Sequence, residues 1–176
     1  MSSKNTNVSY GWVSKCFHWI MLVIIFTQFY IGANMEQLKM GREHFSIGLG
    51  IFMLMVLRLI WRAKNPVPEM PEATGKLQTM AAHGLHILFY ALLIGMPIAG
   101  VAIVQSKGFP VSFFGLFSLP TFFAESKSAA EVAETVHEIF AKSTFIAIVL
   151  HFCVAMYHHF IRKDNILKRM LPGNKE

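Results

Sequence analysis

Apolar residues run through this chain in four long blocks, and polar residues collect in the links between them. The first block covers about 12–33 and contains CFHWIMLVIIFTQFYIG. The second, about 44–61, reads HFSIGLGIFMLMVLRLIW, and the third, about 80–104, reads MAAHGLHILFYALLIGMPIAGVAIV. The fourth core, 140–161, reads FAKSTFIAIVLHFCVAMYHHFI and is broken only by Lys142. A hydrocarbon layer about 30 Å thick needs roughly 20 residues of helix to cross it. At that depth each segment must satisfy its own backbone polar groups. The pattern therefore predicts four membrane-crossing helices. Ser128-Ala-Ala-Glu131 has the spacing of a capping box, so the fourth helix should start near Ala129, protrude, and run over about 129–163. The fold class that follows is all-α, an integral membrane four-helix bundle forming one domain over 1–176.

The links refine this. Segment 34–43 is short and polar, and 62–79 carries Pro66, Pro68 and Pro71, which stop a helix and favour extended backbone. Segment 105–127 is long and holds Phe109, Phe113, Phe114, Phe117, Phe122 and Phe123, so it should lie on the membrane surface or against the bundle.

Composition agrees with the pattern. Of 176 residues, 54% are hydrophobic and 15% charged, with a mean hydropathy of +0.47; a soluble domain carries about a quarter charged residues. The net charge is +6, without the basic-aromatic patch that nucleic-acid binding uses. The charge instead sets topology, because cytoplasmic loops are enriched in Lys and Arg. With the N-terminus inside, Lys4, Lys15, Arg58, Arg62, Lys64, Lys76, Arg162, Lys163, Lys168, Arg169 and Lys175 fall on the inner side. Lys39, Arg42, Lys107, Lys127 and Lys142 fall outside. Both termini are expected in the cytoplasm. The polar N-terminal stretch does not read as a cleaved signal peptide. Cys16 and Cys153 lie in apolar stretches and suggest no disulfide framework, and no C-x-x-C-H offers covalent haem attachment.

Eight histidines lie in or at the ends of the four spans: His18, His44, His83, His86, His137, His151, His158 and His159. Ionisable side chains at membrane depth are costly and mark function by default, and neutral imidazole is a common axial ligand of haem iron. His137 and His151, 14 residues apart, return to nearly one helix face about 21 Å apart along the axis. One helix can so offer one ligand to each of two stacked b-type haems. His44 opens the second helix at the outer side, and His18 lies about two turns into the first from the inner side. The expected pairs are His44 with His137 for an outer haem and His18 with His151 for an inner one. His158 competes for the inner site, but it lies about 31 Å from His137, too far for rapid electron exchange. His83 and His86, at the inner mouth of the third helix, have no outer-side partner in that helix. Gly48, Gly50, Gly95 and Gly100 permit close approach of either a planar cofactor or another helix.

These residues resemble the bacterial cytochrome b561 family of small di-haem inner-membrane cytochromes. The resemblance spans nearly the whole chain: His18-Trp19, His44 with GLGIFMLMVLRLIWR and its Pro-rich link, AAHGLHILFYALLIGMPIAG, His137, His151, and the tail HHFIRKDNILKRMLP. It implies bis-histidine ligation of two haem b groups by His18, His44, His137 and His151, and electron exchange with the quinone pool. Some members resemble superoxide oxidases, delivering electrons from periplasmic superoxide to ubiquinone. That activity would suit Arg42 and Lys107 as anion-steering residues, with Lys39 and Lys142 nearby. The same cations could instead pair with haem propionates, Glu43 or Glu138. His158, His159, His83 or His86 could relay protons at the inner side, though a quinone site beside the outer haem is equally open. The alternative is a cytochrome b subunit that anchors, and takes electrons from, a periplasmic dehydrogenase or hydrogenase, with 105–127 as its docking surface; fold does not choose between them. A histidine-lined metal transporter would need carboxylates inside the helices, where the sequence has none apart from Glu138 at an entrance.

Overall fold

The structure is a computed structural model that describes residues 2–71 and 74–173; Lys175, one of the cations expected inside, lies outside the described residues. Four helices long and apolar enough to cross a membrane make up most of the chain. Helix α1, Trp12–Ala33, is followed by a single turn, α2 (Met35–Leu38), and by α3, Gly41–Ala63. Helix α4 spans Lys76–Ser106 and α5 spans Lys127–Met156, continued by a π-helical turn over Tyr157–Arg162. A last short helix, α6 (Ile166–Met170), closes the described chain. Along the apolar blocks the outward faces carry large apolar side chains, with Val23, Ile87, Phe152 and Phe160 exposed. A helix apolar all round is stable where its outer face meets lipid, and this is an integral membrane protein.

The core is small because the bundle is thin. Met21 and Ile25 of α1 meet Ile51 and Met55 of α3 and Leu93 of α4. The most extensive packing is between α4 and α5. Gly95 makes that approach possible, since a Cβ there would run into the Phe140 ring.

Helix ends follow local chemistry. Helix α4 starts a turn ahead of its apolar block, at Lys76, because polar residues extend the hydrogen-bond ladder beyond the membrane. The cap of α5 is Ser126, not Ser128: the Ser126 backbone is extended, its amide is held by Ser106 O (2.9 Å), and its Oγ accepts from Ala129 N (3.3 Å). The tie to α4 fixes which serine caps.

The segment 107–126 folds against the bundle. It forms a two-stranded hairpin, β1 (Ser112–Phe113) against β2 (Phe117–Ser118). Ser46 of α3 is its anchor: the hydroxyl accepts from Phe114 N (2.9 Å) and lies 3.2 Å from Ser112 O. Buried Gln105 closes the other end, accepting from Phe122 N (2.8 Å) and donating to Pro120 O (2.9 Å). The opposite end of the bundle gathers both chain ends and the Pro-rich link. Asn5 Nδ2 donates to Pro66 O (2.9 Å), Trp19 Nε1 to Met170 O (2.8 Å), and Trp61 Nε1 to Ser14 Oγ (3.0 Å).

Candidate paired-histidine centres

The four spans bring histidines together at two levels. At the hairpin end, the ring centres of His44 (α3) and His137 (α5) are 6.3 Å apart. At the termini end, those of His18 (α1) and His151 (α5) are 6.2 Å apart. A ligating imidazole nitrogen lies about 2.0 Å from its metal and about 1.1 Å from its own ring centre, so two imidazoles sandwiching one metal have centres about 6 Å apart. Both pairs have that spacing, so they fit a bis-imidazole haem.

The surroundings of the first pair favour the same use. A backbone carbonyl can only accept, so His137 Nδ1–H donates to Met96 O (3.0 Å), leaving Nε2 as the free lone pair. A second-shell bond of this kind fixes ring orientation and raises ligand basicity. His44 Nδ1 is buried and makes no hydrogen bond, and the His44 carbonyl is held by Gln28 Nε2 (2.9 Å). Glycines back both rings: a Cβ on Gly32 would come within 3.0 Å of His44 Cε1, and one on Gly100 within 3.6 Å of His137 Cε1. Gly32 escaped sequence reasoning because it closes α1 and its facing partner comes from α3. Gly50, by contrast, faces open space, and Gly48 meets Gln28.

The second centre has a third imidazole that spacing did not reveal. His86 of α4 lies 6.0 Å, ring centre to ring centre, from His151, and Phe89 one turn on lies 5.7 Å from it. His86 Nδ1–H donates to Ala82 O (2.6 Å), so its Nε2 is also free. The signal was His86's spacing of 14 residues from Gly100, which backs His137, and it is legible only once α4 and α5 are seen side by side. His83 is exposed.

The remaining candidates separate. His158 is buried, with Nδ1 2.5 Å from Asp164 Oδ2, and its ring contact is with Tyr157. The π-helical turn and left-handed Lys163 bring Asp164 back to it. His159 meets Phe160 edge-on, and its Nδ1 is buried without a hydrogen-bond partner. At the hairpin end, Arg42 is exposed. Lys107 is paired with Glu134 (2.5 Å), Lys142 with Glu138 (2.5 Å) and Lys127 with Glu131 (4.0 Å), so three of the cations at this end are matched locally. Among the described residues, no three His, Cys, Asp or Glu side chains converge as a metal-ion cage.

Comparison with known proteins identifies the family. The family model for prokaryotic cytochrome b561 matches residues 9–173. The chain belongs to the prokaryotic cytochrome b561 family. It is 35% identical to cytochrome b561 homolog 2 of Escherichia coli (strain K12), over 97% of this chain and 95% of that protein. It is 28% identical to cytochrome b561 homolog 1 of the same organism, over 90% and 94% of the two chains. A probable superoxide oxidase, CybB, of Yersinia pestis is 29% identical over 90% of this chain and 93% of its own. As a member of the cytochrome b561 family the protein is a membrane electron carrier whose cofactor is b-type haem.

Proposed function

We propose that this cytochrome b561 holds two haem b groups, one between His44 and His137 and one between His18 and His151, and acts as a superoxide:ubiquinone oxidoreductase. The observation that carries the haem assignment is the pair of imidazole separations, 6.3 and 6.2 Å, at opposite ends of α5. His18 is preferred to His86 because the ligand set that the family resemblance implies is His18, His44, His137 and His151. The haems, when bound, supply one-electron transfer between the two sides of the membrane. The chain's own residues orient the imidazoles through Met96 O, clear space with Gly32 and Gly100, and surround the inner centre with apolar side chains such as Phe89.

Two superoxide anions would each give up one electron, and one ubiquinone would take up both with two protons to become ubiquinol. The substrate reading is supported by the relative named as a probable superoxide oxidase and by exposed Arg42 beside His44, a cation suited to drawing an anion inward. In this reading the hairpin end is periplasmic, the termini are cytoplasmic, and the membrane is the bacterial inner membrane. His158 and His159 stand at the inner end of α5 as candidates for proton uptake.

The second reading, a docking subunit for a periplasmic dehydrogenase or hydrogenase, draws on the exposed Phe109, Leu116, Phe117 and Phe122 of the 107–126 segment. One preparation tests both. The purified protein should show b-type reduced-minus-oxidised bands for two haems, and superoxide should reduce them and, with quinone present, yield quinol. Two haems that superoxide leaves oxidised would favour the docking subunit. A colourless protein, or one with a single haem, would refute the assignment altogether.

A further inference from the structure

Beneath the inner imidazoles, on the termini side, lies a small, partly open space that the haem-ligand assignment does not use. Its volume is 30 Å³, and its walls include Tyr10, Arg58, Trp61, Arg62, His86 and Tyr90. Arg58 reaches into the core. Its Nη1 is 3.7 Å from Met21 Sδ, one turn from His18, and it shares a side-chain hydrogen bond with Tyr90, one turn from His86. Arg62 follows one turn later on α3, its guanidinium 5.9 Å from the Tyr90 ring centre. Two cations at i and i+4 repel each other, and a partly buried guanidinium is expensive unless paired.

Among the described residues no carboxylate lines the space, and none of the ion pairs includes Arg58. Tyr10 does not provide an anion either: burial pushes its phenol above the ordinary value, against the pull of Arg62 and Arg58, so it stays neutral. The space has room for about two water-sized groups, since a single water needs about 10–15 Å³ measured this way. That suits a carboxylate.

We infer that Arg58, with Arg62 beside it, is the carboxylate-holding site for the propionates of the inner haem, and that this charge pairing raises that haem's affinity for an electron. The inference rests on the proposed inner haem between His18 and His151. A b-type haem brings two carboxylates into the same layer of the bundle as its ligands. A fixed positive charge there stabilises the ferrous state, which carries one positive charge fewer than the ferric.

The test is a spectroelectrochemical titration of the purified holoprotein, read separately for its two haems. In Arg58→Leu the inner haem should become harder to reduce. At the wild-type midpoint its reduced-to-oxidised ratio should fall about tenfold, which is about 59 mV for a one-electron couple, while the outer haem stays put. Arg58→Lys should restore most of the shift. Should Arg58→Leu lose the inner haem, Arg58→Lys decides: recovery of the haem supports the charge role, and continued loss overturns it. Reconstitution with haem dimethyl ester, whose propionates are neutral, identifies the anion. Arg58→Leu should weaken the inner site's hold on native haem several-fold and leave its hold on the dimethyl ester unchanged, read by haem transfer to an acceptor apoprotein. Equal weakening for both porphyrins would mean the arginine serves some other anion and would overturn the inference, as would an Arg58→Leu protein whose inner potential is unchanged. A wild-type protein without an inner haem would instead refute the ligand assignment, so the two failures are distinguishable.

Discussion

At the scale of single residues, the hairpin-end centre depends on what stands behind each imidazole. Gly32 leaves no room for a side chain: its Cβ would sit 3.0 Å from His44 Cε1, so the ring must tilt to admit one. We expect Gly32→Val to lose the outer haem and keep the inner, and Gly32→Ala to keep both with an altered outer-haem electron paramagnetic resonance signal. Gly100→Ala, with 3.6 Å to spare at His137, should leave that signal nearly unchanged. His44→Ala or His137→Ala should each remove one haem, seen as half the pyridine haemochrome per protein. Loss of both from either change, in a protein that remains helical, would contradict the pairing.

At the scale of elements, the hairpin over the outer centre is held by a single α3 side chain. Ser46 is 2% exposed and serves both β1 and its turn. Ser46→Ala leaves the Phe114 amide and Ser112 carbonyl without that partner, at a cost of about 1–3 kcal/mol if they stay buried. The expected outcome is faster limited proteolysis within 107–126 with the four long helices intact by circular dichroism. Unchanged cleavage would show that Gln105 suffices to hold the segment. Boundary shifts belong to this scale too. Ser126 and Ser128 are both good N-caps by residue type. Which one caps α5 was set by a hydrogen bond to Ser106, more than 15 positions away.

At the scale of the whole molecule, charge is distributed by end. Arg42 is exposed near the outer centre, whereas Lys107 and Lys142 are each matched by a glutamate. If an anionic donor is steered electrostatically, its on-rate falls with ionic strength. Arg42→Glu should then slow superoxide-driven haem reduction several-fold at low salt and flatten the salt dependence, while Lys107→Gln, which also frees Glu134, should have a smaller effect. Stopped-flow reduction across a salt series measures both. Equal rates in all three proteins would remove Arg42 from the substrate path.

Four helices, their order and the two-level use of α5 follow from the sequence alone, because they depend on local quantities: the length of each apolar run against bilayer thickness, and the rise of 14 residues between His137 and His151. The residue types of the centres were legible for the same reason, since imidazole in an apolar run is rare enough to stand out. What tertiary structure decided was proximity between helices. It brought His86 to 6.0 Å from His151, set Gly32 behind His44, turned His158 onto Asp164, and set Tyr10, His86 and Tyr90 around the same small space as Arg58 and Arg62. A helix's own period fixes which residues share its face. Which face meets which neighbour, and at what height, depends on crossing angle and vertical offset, and these are set by side chains from several segments packing at once.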